Sequence, residues 1–250
     1  MGSDIILLPP EAMSTPRELR FSDDQAEYAG LFLNYDRAHT VLVLPDWRGH
    51  RTDYAMRRGV ELGRKIDANV VVSDLFTTSY RPTDYAGDAE HWVAAALANP
   101  RALRQCLTGY VQALTAHIGI APSSVIVVGY CLGGALAFEM GRSDLGLCAV
   151  VCIHGIPAST APIQTLRYKT RFLAIHGASD PIIELEHLTR FQTEMTRAKV
   201  DWTSLALGHV RHGFTDEETD PHGHSQRYDQ TASRRTLGML AAFLSLELSP

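Results

Sequence analysis

Short apolar runs punctuate the chain and limit what it can become. They are Val41–Leu44, Val70–Val72, Val125–Val128, Leu147–Ile153, Phe172–Ile175 and Thr203–Leu207. Runs of this length, rich in Val, Ile and Leu, suit strands buried on both faces. The segments between them have helical period. Leu103, Leu107, Tyr110, Val111, Leu114 and Ile118 share one helix face. Residues 53–66, 86–98, 184–198 and 229–246 repeat the pattern more weakly. Strands alternating with helices demand crossover connections, hence an α/β fold with a mostly parallel sheet and helices on both sides. Ahead of it, Glu18–Phe21 and Ala29–Leu33 flank the polar turn Ser22–Glu27 and predict an N-terminal β-hairpin. No repeat, low-complexity tract or linker interrupts residues 1–250, so one domain is expected.

The chain has 250 residues, 45% hydrophobic and 20% charged, which suits a globule with a sizeable core. A net charge of −5 is not the footprint of a nucleic-acid binder. No apolar run approaches the roughly 20 residues that span a bilayer. The opening MGSDIILLPPEAM lacks the basic region and cleavage site of a secretory signal. Four cysteines (Cys106, Cys131, Cys148, Cys152) lack CxxC spacing and read as reduced thiols. Cytoplasmic location is expected, as monomer or homodimer, with neither nucleic acid nor membrane as partner.

In open parallel sheets, ligands bind beyond the carboxyl ends of the strands. After Val125–Val128 comes Gly129-Tyr130-Cys131-Leu132-Gly133-Gly134, and then a helical stretch. Strand, Gly-x-Cys-x-Gly and helix together form the context of a nucleophile elbow, with Cys in place of Ser. The turn strains its central residue, and the glycines leave room for neighbouring backbone. The sulfur is thereby exposed at a helix N-terminus, which favours a thiolate. The Leu132 N–H is free to face an oxyanion. Asp180 follows the run Phe172–Ile175, and His212 follows Thr203–Leu207. Nucleophile, acid and histidine at three successive strand ends give the order of a hydrolase triad. In it Asp180 orients the imidazole, and His212 exchanges the proton with Cys131. Taken alone, Asp180 is also a loop Asx-turn before proline, and His212 is one histidine among 11.

Gly-Tyr-Cys-Leu-Gly-Gly at 129–134, His-Gly-Ala-Ser-Asp-Pro at 176–181 and His-Gly-Phe-Thr at 212–215 resemble motifs of the dienelactone hydrolase family. The segment from Tyr228 to Leu244 is similar to that family's closing helix. The resemblance covers roughly residues 17–246. It implies an α/β-hydrolase fold, a Cys131–His212–Asp180 triad, and hydrolysis of a small ester or lactone without metal or cofactor. It places Asp46 where the family carries a Glu that contacts the resting thiol, and gives the Trp47 N–H as second oxyanion donor. Tyr130, Arg81 and Arg211 are its candidates for substrate binding. The family's anion-binding arginine after the catalytic histidine is missing, and Asp216 and Glu217 stand there instead. A neutral substrate is therefore expected.

His209, His212, His222 and His224 lie close in sequence, but they sit on a loop without a structural ligand spacing, so no metal site is expected. Cys106, Cys148 and Cys152 read as packing residues, as do Trp92 and Trp202. Thr215–Gln226 reads as a long loop beside the site or a surface excursion. Two other functions stay open: a non-hydrolytic cyclase or isomerase, and a ligand-binding pseudoenzyme on the same scaffold.

Overall fold

The computed structural model describes residues 15–73, 89–220 and 222–245. The predicted hairpin forms from β1 (Arg17–Ser22) and β2 (Glu27–Leu33), paired antiparallel. The remaining strands are β3 (Thr40–Leu44), β4 (Asn69–Ser73), β5 (Val125–Tyr130), β6 (Ala149–Ile153), β7 (Arg171–Gly177) and β8 (Trp202–Leu207). They join one 8-stranded sheet in the order β1-β2-β4-β3-β5-β6-β7-β8. β2 meets β4 antiparallel, and every pairing from β4 to β8 is parallel.

Among the described residues, six α-helices accompany the strands: α1 (Asp53–Ile66), α2 (Ala89–Leu97), α3 (Pro100–Ile118), α4 (Leu132–Arg142), α5 (Leu185–Arg197) and α6 (Gln230–Ser245). α1 begins where Thr52 accepts a hydrogen bond from the Ala55 N–H, with Asp53 in the first turn and Arg64 and Lys65 in the last.

Alternate residues of the central strands supply two cores. Leu42, Leu44 and Val127 pack with Tyr110 and Leu114 of α3, Phe138 of α4 and Phe191 of α5. Val41, Val43, Ile126 and Val128 face the other way, onto Tyr54 and Leu62 of α1 and Leu240 of α6. Each such buried side chain contributes about 1.5–3 kcal/mol. This explains why β3 to β7 show no polar alternation. β8 departs from the expectation of burial on both faces, since most of it is only half-buried. As the last strand of the sheet it has β7 alone for a neighbour.

Candidate active site

β5 runs into α4 through Cys131, whose φ of 52° and ψ of −118° lie outside the regions open to ordinary residues. Two glycines make this turn possible. A Cβ on Gly129 would overlap the backbone of Gly133, and one on Gly133 would overlap the carbonyls of Leu44 and Pro45. The second approach brings the end of β3 against the first turn of α4, so Trp47 and Leu132 line the same cavity as Cys131. Leu132 opens α4, where the first N–H groups have no intrahelical partner.

The loop after β7 carries Asp180, and the loop after β8 carries His212. Hydrogen bonds from Ala178 N–H to Leu207 O (2.8 Å) and from Ser179 N–H to Val210 O (2.9 Å) tie the two loops together. His212 is buried, with Nδ1 2.8 Å from Asp180 Oδ2 and Nε2 3.3 Å from Cys131 Sγ. Burial opposes a charge on this ring. The Cys131 sulfur and the Asp180 carboxylate outweigh it and raise the His212 pKa to about 10. Asp180 also makes the Asx turn, because its Oδ1 accepts from the N–H groups of Ile182 (2.8 Å) and Ile183 (3.2 Å). The two readings of this aspartate are compatible, one for each oxygen.

Asp46 is buried at the same place, but its hydrogen bonds run to Arg48. Oδ1 accepts the Arg48 N–H at 2.9 Å, and Oδ2 accepts Arg48 Nη2 at 2.7 Å. Cys131 bonds to His212, and no direct Asp46–Cys131 hydrogen bond is among those of the described residues, in keeping with an Asp one methylene shorter than the family's Glu. Burial raises the Asp46 pKa, against the pull of Arg48. A cavity of about 10 Å³ touches Asp46, Cys131, His154, His212 and Asp216, close to the room one water needs.

Asp216 and Glu217, which stand where an arginine was missed, are ion-paired: Asp216 with Arg48 at 2.6 Å, Glu217 with Arg58 at 2.9 Å. Arg48 also reaches Glu218. Tyr130 is buried against Tyr54 and is not among the described residues lining the main cavity. Neither is Arg211, whose guanidinium bonds to the His224 carbonyl. Arg81 lies outside the described residues. The stretch after His212 returns to the cavity at Ser225 and Gln226.

His154, directly after β6, passed unnoticed in the sequence. It has a φ of 39°, is buried, and stacks edge-on against His212 with centroids 5.1 Å apart. Its Nε2 lies 2.8 Å from Thr215 Oγ1, which lies 2.6 Å from Tyr54 Oη. Burial, then the charge on His212, lowers its pKa well below the usual histidine range. Its position at a strand end was the available signal.

Among the cysteines, Cys152 is buried, and burial pushes its thiol up to about 12. Cys106 is exposed rather than packed, because it sits at the margin of the apolar stripe on α3. The main cavity, about 600 Å³, opens beside Cys131 and is walled mostly by apolar side chains of α2, α3, α4 and the loops after β6 and β7.

A model of the dienelactone hydrolase family matches residues 29–246. The chain belongs to this family. Its fold is that of the α/β-hydrolases. A dienelactone hydrolase-like promiscuous phosphotriesterase from metagenomic libraries is 27% identical, with a TM-score of 0.80 over 94% of this chain and 98% of that one. A candidate dienelactone hydrolase from Klebsiella pneumoniae shares the fold at 13% identity and a TM-score of 0.70, over 92% and 98% of the two chains. The esterase PE8 does so at 18% and 0.62, over 92% and 100%. No curated protein matches significantly. Family and first neighbour together support hydrolase activity. No helix among the described residues is long and apolar enough to cross a membrane.

Proposed function

We propose that this dienelactone hydrolase-family chain cleaves a carboxylic ester or lactone through Cys131. The observation that carries the reading is the unbroken hydrogen-bonded line Asp180–His212–Cys131 at the mouth of a substrate-sized cavity. With both ring nitrogens protonated, His212 donates Nδ1–H to Asp180 and Nε2–H to the sulfur. Sulfur attacks the carbonyl carbon, and the carbonyl electron pair moves to oxygen. The amides of Leu132 and Trp47 receive that oxyanion, each donor contributing about 3–4 kcal/mol. Collapse forms the acyl-thioester while His212 gives its Nε2 proton to the departing alkoxide. Neutral His212 then takes a proton from water, which attacks the thioester and regenerates the pair. Asp46 communicates with Cys131 through a water in the small cavity.

Among the described residues, those around the reacting carbonyl (Trp47, Leu132, His154, Ile183) include no Lys or Arg, and Asp216 and Glu217 are taken up in ion pairs. A carboxylate next to the scissile carbonyl therefore has no Lys or Arg partner among the described residues there. It is expected to lower kcat/KM about tenfold or more against a matched neutral ester.

Aryl esters and lactones, assayed with intact-mass detection of the acyl-enzyme, test the reading. A burst of alcohol with an adduct on Cys131, absent in Cys131→Ala, is expected. Turnover that survives Cys131→Ala would refute it. The first neighbour's description as a promiscuous phosphotriesterase favours one additional substrate class, a neutral aryl phosphotriester, in the same screen.

A further inference from the structure

The main cavity has a second end. Cys131, Ala135 and Glu139 recur every fourth residue and all line it, so it follows one face of α4. At 1.5 Å per residue, Glu139 stands about 12 Å along the helix from the thiol. α5 follows the same direction. The Asp180 loop precedes its N-terminus, Arg190 lies one to two turns on, and Glu194 further along bonds Arg142, which bonds Glu139. The corridor between the ends is apolar, walled by Val93, Leu97, Leu103 and Ala135.

The distal end is polar, and Ser159 is its hub. Arg190 Nη2 donates to the Ser159 carbonyl at 3.1 Å. Arg104 Nη2 donates to Ser159 Oγ at 3.2 Å while its Nε holds Glu139 at 2.7 Å. The Glu139 carboxylate is doubly neutralised, by Arg104 on one oxygen and by Arg142 on the other at 3.1 Å. Arg190 differs. Its one hydrogen bond is to a neutral carbonyl, and no carboxylate among the described residues pairs with it. Ser159 Oγ already accepts from Arg104 and from the Ala161 N–H, so its own O–H is left to donate. The exposed Arg190 and the buried Ser159 both line the cavity, beside the neutralised Glu139.

We infer that this distal end is a subsite for the carboxylate, or similar anionic head, of a long acyl chain whose ester carbonyl is held at Cys131. The inference rests on the ester-hydrolase reading and names its substrate class: an ω-carboxyacyl ester with an apolar body spanning the corridor. It is consistent with the lack of a Lys or Arg beside the reacting carbonyl among the described residues. The charge is accepted a helix-length away and not beside the thiol.

The test compares aryl monoesters of sebacic and decanoic acid, matched in length, with the monoester of succinic acid as the short control. In the wild type the sebacyl ester should exceed the decanoyl ester in kcat/KM about five- to tenfold, mostly through KM, and the succinyl ester should gain nothing. Arg190→Gln should abolish the sebacyl-to-decanoyl ratio, Arg190→Lys should restore part of it, and Ser159→Ala should reduce it. A wild-type ratio near one, or a ratio unchanged in Arg190→Gln, would overturn the subsite. If no ester is turned over, the hydrolase reading fails separately. Calorimetry with free sebacate and decanoate then decides the subsite: an Arg190-dependent advantage for the diacid sustains it, and equal affinities refute it.

Discussion

His212 keeps its proton at a place where burial alone would remove it, because Asp180 and the Cys131 sulfur flank the ring. Groups so coupled act as a unit. Cys131→Ala and His212→Ala should each lower turnover at least about a thousandfold in a single-substrate assay, and the double variant little further. His154 shows the opposite balance. Its folded-state pKa is depressed, so below pH 6.5 the unfolded chain takes up a proton that the folded chain refuses. The stability held above pH 6.5 therefore falls as the pH falls, by at most about 1.4 kcal/mol per unit. His176, lowered by burial against the pull of Asp180, adds to the same trend. Urea midpoints between pH 7 and 5 should decline in the wild type and decline less steeply in His154→Phe, which keeps a ring against His212 but has no proton to take. An equal slope in the two proteins would show that His154 is not the group responsible.

At the scale of elements, the turn from β5 into α4 is built by contact with β3. Gly133→Ala sets a methyl against the Leu44 and Pro45 carbonyls, which are backbone and cannot swing aside. It should cost about 1–3 kcal/mol and displace Trp47 relative to Cys131. Both a lower melting temperature and a lower kcat are expected, and a variant with wild-type values would contradict the packing described. The loop after β7 separates structure from chemistry. Asp180→Asn keeps an oxygen for the Ile182 and Ile183 N–H groups but loses the charge that faces His212. It should lose most turnover and some stability, because the amide N–H then faces the buried His212 ring, whereas Asp180→Ala should lose more by also freeing the Ile182 and Ile183 N–H groups. These elements were largely legible beforehand. α1 begins and ends where helical periodicity placed it, and β6 is two residues shorter than its apolar run. β8 was misjudged because its composition resembles that of inner strands, while its edge position is a property of the assembled sheet.

Across the whole molecule, buried arginines connect parts of the chain that local pattern leaves unrelated. Arg142 joins Glu139 on its own helix to Glu194 on α5 and to the Pro157 carbonyl. Removing one partner of a buried ionic cluster strands the others, at about 3–5 kcal/mol. Arg142→Met should lower the denaturant midpoint accordingly, with the slope of the transition unchanged. A shift within error of zero would mean that Arg104 and the backbone alone satisfy both glutamates.

Sequence alone determined the α/β alternation, since buried strands and amphipathic helices declare themselves by hydrophobic period. It also picked out Cys131, Asp180 and His212, because strand ends are marked by where apolar runs stop and the residue types there are few. Partner choice among charged and polar groups was decided only by the tertiary structure. Asp46 has Arg48 two positions away, but that guanidinium also bonds Asp216, 168 positions along the chain. The same holds for His154, which gains meaning from Thr215 and His212, and for Arg190, which gains it from a cavity shared with Glu139. The physical reason is range. Hydrophobic period is written locally and survives averaging over neighbours, whereas a hydrogen bond or ion pair needs atoms within about 3 Å, and that proximity exists only once distant segments have packed.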